Sequence, residues 1–455
     1  MIAGTASGVG KTSVAVGLMA ALAKAKYKVG AAKVGPDYID PGYHKMATGR
    51  ASYNLDPFMT GRLGVAESFR RAATGTDICV VEGVMGLYDG TDRAGLDDFE
   101  INTDPSNPQE LGGRYSSYEV ATALGIGVVL VMDARSSSHS LAATAHGFTS
   151  LAHGSPILGV IVNRVRSDRH SSLVHDAMES LGIEILGTIA DGVFPNFESR
   201  QLGLIPTEER LEEARIEIAR LAELVNSAID IETLVSKLRT VELAQAPIRD
   251  HSSESKISIA VARGPAFSFV YQENLDILQE MGAELHSFDP ATDPMPAGAK
   301  ALILGGGFPE LYMDEINANM VQLESIATNH RLGMPIWAEC GGLMLLAQTI
   351  DAKKGLGILD VNTKMGSRLN LGYQRAISQR SNLLVGAGSA IYGHEFHYSI
   401  PDNRGDLLRY TYSPNTLNGF GSDVLYASYL HLHLGQQPEM ASRFLDRART
   451  FKFGL

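Results

Sequence analysis

Only two cysteines, Cys79 and Cys340, occur in 455 residues. Two thiols cannot make a disulfide framework, so a reducing, cytoplasmic setting is expected. Basic residues are also short. Lys and Arg number 39 against 51 Asp and Glu, a formal charge of −12 with no basic run. That balance disfavours nucleic acid and anionic membrane as partners. No stretch approaches the ~18 uninterrupted apolar residues of a membrane span. Residues 1–12 lack the basic start and apolar run of a secretory leader. Proline is sparse, at 18 residues, and the 47 glycines sit at specific turns rather than in low-complexity runs. With 44 % hydrophobic and 20 % charged residues the chain is expected to bury real cores, which excludes a disordered or fibrous protein. At about 100–200 residues per domain, the length points to two to four domains.

The first 190 residues alternate short apolar runs with helical patterns. Runs at 29–34, 78–81, 127–132 and 157–162 read as strands. The last three are nearly continuous in Ile, Val and Leu, as in strands covered on both faces. Residues 12–25 carry Val14, Leu18 and Leu22 at helical spacing. This rhythm predicts a mostly parallel, doubly wound sheet. Two amphipathic helices are expected over 206–243, then a polar linker over 244–255. The pattern restarts at Lys256, with strands at 257–261, 301–304 and 335–338 and helices at 274–281 and 341–348. Shorter strands follow at 393–399, 407–412 and 426–430, then a helix over 438–450. The acidic stretch 91–113 has no periodicity and reads as a functional lid or a disordered loop.

Gly4-Thr-Ala-Ser-Gly8-Val-Gly10-Lys11-Thr12 joins a very short strand to a helix. Backbone N–H groups of such a turn, with the helix N-terminus, make an anion site. Gly8 and Gly10 would let the backbone wrap a phosphate, Lys11 would reach the β/γ-phosphates, and the Thr12 hydroxyl would bind Mg²⁺. Five residues separate Gly4 from Gly10, where the common loop has four. The competing reading is a glycine-rich structural turn. Acidic partners for the metal are offered by Asp37 and Asp40, after the second strand, and by Glu82, after the strand at 78–81. Asp40-Pro41 and Asp89-Gly90 also read as turns. Asn163 closes the strand 157–162 and reads either as an amide for a nucleobase edge or as a turn residue.

In the second half, Ala338-Glu339-Cys340-Gly341-Gly342 puts a cysteine between a strand and a glycine pair that opens a helix. Such a turn exposes its central residue, and a helix N-terminus is expected to lower the thiol pKa. Cys79, inside an apolar strand, reads as a small buried hydrophobe. A nucleophilic thiol needs a base. His431 and His433 alternate with leucines and share one face of a strand, where an exposed edge is the competing reading. Oxyanion donors are expected from Gly306 and Gly307, after the strand 301–304, and from Gly341.

Taken together, these segments resemble the cobyrinic acid a,c-diamide synthase family over nearly the whole chain. The carriers are the 4–12 loop, Lys33-Val-Gly-Pro-Asp-Tyr-Ile-Asp-Pro41 and Val81-Glu-Gly-Val-Met-Gly-Leu-Tyr-Asp-Gly90. In the second half they are Ala266-Phe-Ser-Phe269, Gly305-Gly-Gly-Phe-Pro-Glu-Leu311, Ala338-Glu-Cys-Gly-Gly342, Gly393-His-Glu-Phe-His-Tyr398 and Ala427-Ser-Tyr-Leu-His-Leu-His433. The five-residue gap in the phosphate loop is similar to the dethiobiotin synthetase form. The resemblance implies two doubly wound α/β domains. Residues 1–243 would form a P-loop domain of dethiobiotin-synthetase type, and 256–455 a class I-type glutamine amidotransferase domain. It implies that Cys340 attacks the glutamine carboxamide and releases ammonia, with His431 as base and His433 as the fallback. Typical amidotransferases carry Glu two residues after that histidine. His433 stands there, which implies a Cys/His dyad. ATP would phosphorylate the a- and c-carboxylates of a tetrapyrrole in turn, and ammonia would displace the phosphate.

The sequence departs from the family at Gly264, where an acidic residue is usual, at Gln201, where His is usual, and in the insert 91–113. It also opens almost inside its first strand, so a longer natural N-terminus is expected. Cobyrinic acid, hydrogenobyrinic acid and nickel-sirohydrochlorin all remain as acceptors. A partitioning-type P-loop ATPase switch is the alternative of another class. It usually carries a lysine early in the loop, where this chain has Ala6, and it leaves the Cys340 half unexplained. The expected partners are therefore glutamine, ATP, Mg²⁺ and a tetrapyrrole polycarboxylate, with no nucleic acid and no membrane; a homodimer is compatible with the sequence. A −12 chain that binds a polycarboxylate must concentrate positive charge locally, from Mg²⁺, Lys11 and Lys33.

Overall fold

The computed structural model describes residues 1–91, 113–194, 199–200, 203–242, 256–413 and 416–453. The expected linker 244–255, Gln201 and all of the insert except its ends lie outside the described residues. The chain divides into two compact units, Met1–Pro57 with Gly61–Ala246, and Phe58–Thr60 with Pro247–Leu455.

The first unit is built on seven parallel strands: β1 (Ile2–Gly4), β2 (Val29–Val34), β3 (Ser52–Leu55), β4 (Ile78–Gly86), β5 (Val128–Asp133), β6 (Ile157–Val165) and β7 (Ile185–Ala190). Their order across the sheet is β3-β2-β4-β1-β5-β6-β7, and every neighbouring pair is parallel. The Val-rich runs are buried along both faces, which is why they lack alternation. The chain lays β2 to β4 on one side of β1 and β5 to β7 on the other. The carboxyl end of β1 is thus a switch point of the kind where open α/β sheets bind ligands. Helices α1 (Lys11–Lys24), α2 (Asp40–Thr48), α3 (Pro57–Ala73), α4 (Ser117–Leu124), α5 (His139–Leu151) and α6 (Asp168–Ser180) follow the strands. The expected amphipathic pair is α7 (Leu211–Ala228) and the short α8 (Ile231–Ser236). In α7, Ala214, Ile218, Leu221, Ala222 and Val225 form the buried stripe.

The second unit has two sheets. Five strands run parallel in the order Ala283–Phe288, Ile257–Ala262, Ala301–Leu304, Ile336–Glu339 and Leu425–Ser428, and Phe420–Ser422 joins antiparallel at the edge. Beside this doubly wound core stands a mostly antiparallel sheet, whose largest members are Asn362–Ser378 and Ala390–Pro401. The 17-residue strand Asn362–Ser378 has no counterpart in the sequence reading. It is half-buried along most of its length and mixes Lys, Arg, Asn, Gln and Gly with single apolar residues. It therefore shows neither a continuous apolar run nor clean alternation. The expected strand 426–430 divides. Leu425–Ser428 closes the parallel sheet, and His431–Leu432 pairs with Ala390–Pro401 in the other, with Gly393 opposite Leu432 and His394 opposite His431.

Candidate active sites

The first site grows from β1. Its strand ends at Gly4, and the loop to α1 passes through Gly8 (φ 76°) and Gly10 (φ 97°), both left-handed. Two residues at the end of β6 hold this loop: the Asn163 amide donates to Val9 O (2.9 Å) and Arg164 to Gly8 O (2.8 Å). Arg164 is in turn paired with Asp133 at 2.5 Å. The loop is thereby fixed before any ligand arrives. Lys11, at the start of α1, is buried, and burial followed by the neighbouring Lys33 charge pulls its pKa down.

Beneath the loop lies a buried charge cluster. Lys33 and Glu82 face each other across the β2–β4 register, with Lys33 Nζ 2.9 Å from Glu82 and 2.6 Å from Asp40. Glu82 also accepts from Thr12 (2.6 Å) and meets His44 Nε2 at 2.7 Å, and the second nitrogen of His44 lies 3.1 Å from Ser52. Burial would raise Glu82 and lower Lys33. Lys33 and His44 overcome this for Glu82, which is held below the usual range, and Asp40 and Glu82 overcome it for Lys33, which is held above. Asp40 is pushed up by burial and by the carboxylates of Asp37 and Glu82. The cluster is thus rich in negative charge and lined by hard oxygen donors from Thr12, Asp40 and Glu82.

The second site centres on Cys340, which is buried at the end of Ile336–Glu339 with φ 48° and ψ −103°. A non-glycine residue there carries strain of order 1–3 kcal/mol, the mark of a sharp nucleophile turn. Cys340 N–H donates to Ser428 O (2.8 Å), and Sγ lies 3.8 Å from Phe396 O. A Cβ on Gly341 would lie 3.2 Å from Gly307 N, and one on Gly306 would lie 2.4 Å from Cε1 and 3.2 Å from Nε2 of His431. The Cys340–Gly341 turn, the Gly306–Gly307 loop and His431 therefore converge. His431 Nδ1 lies 3.4 Å from Glu339 Oε2.

Residues 1–205 match a CobQ/CobB/MinD/ParA nucleotide binding domain and residues 258–439 a CobB/CobQ-like glutamine amidotransferase domain. A hydrogenobyrinate a,c-diamide synthase of Streptomyces coelicolor is 37 % identical over 99 % of this chain and 97 % of that protein. A cobyrinate a,c-diamide synthase of Synechococcus is 38 % identical over 98 % and 97 %, and the hydrogenobyrinate enzyme of Mycobacterium tuberculosis 34 % over 98 % and 97 %. The chain belongs to the a,c-diamide synthase family.

Within this diamide synthase chain, Gly8, Gly10, Lys11, Thr12, Asp40, Glu82 and Asn163 gather at the end of β1, and Cys340, Gly307, Gly341 and His431 gather in the second unit. Four expectations change. Gly306 N–H donates to Phe269 O at 3.0 Å, so this expected oxyanion donor is already committed. The Cys340 thiol is pushed up, not down: burial outweighs everything else, Glu310 adds to it, and the helix that follows, Gly341–Leu346, is short, leaving a hydrogen bond from Gly341 N–H as the main opposing effect. His433 does not share a strand face with His431, because the strand ends at Leu432; its ring packs on Tyr271 (centroids 4.9 Å), and neither histidine is on an exposed edge. Asn163 donates its amide to the loop itself, although its buried Oδ1 has no hydrogen-bond partner in the structure. Asp37 Oδ1 is spent on the N–H groups of Ile39 and Asp40; Asp89 Oδ2 accepts from Gly86 N–H, as the turn reading of Asp89-Gly90 has it, whereas Asp40 is paired with Lys33. Cys79 is half-buried rather than fully buried and packs against the core of the first unit, its thiol pushed up to about 12 by burial.

The sequence reading passed over His44 and Glu339. His44 lies four residues after Asp40 on α2, one turn along the same face, which was a readable signal. Glu339 directly precedes Cys340, and only the fold brings it to His431. Among the described residues no helix is long and apolar enough to cross a membrane.

Proposed function

We propose that the chain is an ATP-dependent, glutamine-hydrolysing ligase that amidates the a- and c-carboxylates of cobyrinate. The observation that carries this reading is the convergence of Cys340, His431 and the Gly307–Gly341 backbone in a chain whose whole length matches a,c-diamide synthases. Residues 1–243 would serve ATP and the tetrapyrrole, and 256–455 glutamine, joined through 244–255.

In the glutamine half, His431 takes the thiol proton as Sγ bonds to the carboxamide carbon. The resulting oxyanion faces the backbone N–H groups of Gly307 and Gly341. The imidazolium returns the proton to the leaving nitrogen, the C–N bond breaks and ammonia departs. Water then cleaves the thioester to glutamate and restores the thiol. A thiol pushed up by burial loses its proton only as the base takes it, so the base is needed at the moment of attack.

In the ATP half, the loop N–H groups and Lys11 cradle the phosphates, and the free Oδ1 of Asn163 is available to accept from the base. The γ-phosphoryl passes to a substrate carboxylate, ammonia attacks the acyl phosphate, and inorganic phosphate leaves. Mg²⁺ would neutralise phosphate charge, held by Thr12, Asp40 and Glu82, with Asp37 further out. Their hard oxygens and surplus negative charge suit it. Among the described residues no group of three or more His, Cys, Asp or Glu could hold a metal, so phosphate and water would complete its shell.

Hydrogenobyrinate is the second acceptor, because relatives of nearly equal identity carry either name. Purified protein given glutamine, ATP and each acceptor should form diamide from one of them. Cys340→Ser should abolish glutamine-dependent turnover and keep ammonium-dependent turnover. Intact glutamine-dependent turnover in Cys340→Ser would sink the assignment.

A further inference from the structure

The base needs an orienting partner, and His433, two residues on, is the first group to consider. That histidine is occupied elsewhere. Its Nε2 lies 3.9 Å from Glu273, its ring packs on Tyr271, and its Nδ1 accepts from Gly435 N–H at 3.1 Å. Another buried carboxylate near the cysteine, Glu395, accepts from Tyr410 OH (2.6 Å) and Asn418 (2.9 Å) and lies 3.8 Å from His397. Glu339 differs from both. One of its oxygens, Oε1, accepts from Trp337 Nε1 (2.9 Å) and Leu432 N–H (3.1 Å). Those two bonds fix the carboxylate plane and leave Oε2 turned to His431 Nδ1 at 3.4 Å. His431 is fully buried and Glu339 is 7 % exposed, so water competes little for the contact.

We infer that Glu339, the residue immediately before the nucleophile, is the positioning residue for His431 and completes a Cys340–His431–Glu339 triad in which the carboxylate comes from the nucleophile's own strand. Glu339 holds the proton on Nδ1, so Nε2, the edge beside Gly306, is the basic nitrogen on the side where the glycine loop meets the cysteine turn. The 3.4 Å separation is longer than a formed hydrogen bond, and such contacts tighten once substrate is bound. The imidazolium formed during attack is the species Glu339 stabilises. His394 lies opposite His431 across the strands and is held neutral by burial and by His431, whereas Glu339 brings a carboxylate to the imidazole.

This inference rests on the glutamine reading above, and the test separates the two. Glu339→Gln keeps an oxygen for Trp337 and Leu432 N–H but removes the charge. Glutaminase kcat should fall at least about 10²-fold, while ammonium-dependent amidation stays within twofold. The loss should sit in kcat with KM for glutamine within about twofold, because the missing charge acts on the imidazolium formed during attack and not on bound glutamine. A kcat fall below threefold, or a loss carried by KM instead, overturns the positioning role. If wild type and Cys340→Ser use glutamine equally, the glutamine reading fails instead.

Discussion

Asn274 offers a test of how the histidine segment is held. Its side chain is buried and spans His433: Nδ2 donates to Leu432 O and Oδ1 accepts from Leu434 N–H, both at 2.8 Å. Asn274→Ala strips one acceptor and one donor of their partners inside the fold. Each costs about 1–3 kcal/mol when left unsatisfied. A cavity of about 10 Å³ already lies beside Asn274, Leu275, Trp337 and Glu339. It has room for barely one water, and the truncation enlarges it, so a water can recover part of the loss. The expected net cost is about 3 kcal/mol, near the low end of the sum. Trp337 is the single tryptophan and lines the same cavity, so its fluorescence reports this unit alone. With a urea slope of roughly 2 kcal/mol/M, the unfolding midpoint should fall by about 1.5 M. A shift below 0.5 M at unchanged slope would show that these two bonds do not hold the segment.

Three further outcomes are expected. Gly10→Ala puts a side chain at φ 97° with its Cβ 2.4 Å from Asn163 Nδ2; strain and the lost loop bond together cost about 2–3 kcal/mol, and calorimetry should show ATP binding weakened at least tenfold, an unchanged Kd contradicting the loop geometry. His394 is pushed down to about 3 by burial and then by His431. Its folded pKa lies below the unfolded 6.5, so the unfolded chain takes the proton first, and stability falls as pH drops from about 6.5 toward 3. The loss is about 2 kcal/mol by pH 5, and His394→Phe should flatten that part of a Trp337-monitored stability profile. Finally, without glutamine, Cys340 should alkylate slowly at pH 7 and steadily faster toward pH 10, as a protonated buried thiol does; rapid labelling at pH 7 would contradict the upward shift.

Legibility followed burial. Strands covered on both faces, such as β5 and β6, announced themselves as apolar runs, and the phosphate loop and the Cys340 turn were readable because each concentrates its chemistry in consecutive residues. Asn362–Ser378 was not readable, since a strand with two half-wet faces carries no hydrophobic period. The break between Ser428 and His431 was hidden because Leu430, His431 and Leu432 are all buried, so the sequence runs on as one apolar strand while the backbone changes sheets. The committed state of Gly306 N–H and the two bonds on Glu339 Oε1 depend on partners far away in sequence, Phe269 and Leu432, which no local pattern reveals. The direction of the thiol shift failed for a related reason: the dipole of a six-residue helix is local, but desolvation belongs to the whole surrounding core.

The crossing of the chain between sheets has a mechanical meaning. Cys340 is anchored to the parallel sheet through Ser428, whereas His431, three residues on, is paired with His394 on the long hairpin formed by Asn362–Ser378 and Ala390–Pro401. The reach from sulfur to imidazole is therefore set by how the two sheets are seated against each other. Sliding the hairpin along its own length would carry the base and the Phe396 carbonyl past the sulfur, while the Cys340 backbone stayed with the parallel sheet. Tyr429 and Leu430, both buried, are the short tether that limits the slide. The hairpin thus meets both reacting groups: it pairs with the base at His394, and its Phe396 O lies 3.8 Å from the sulfur.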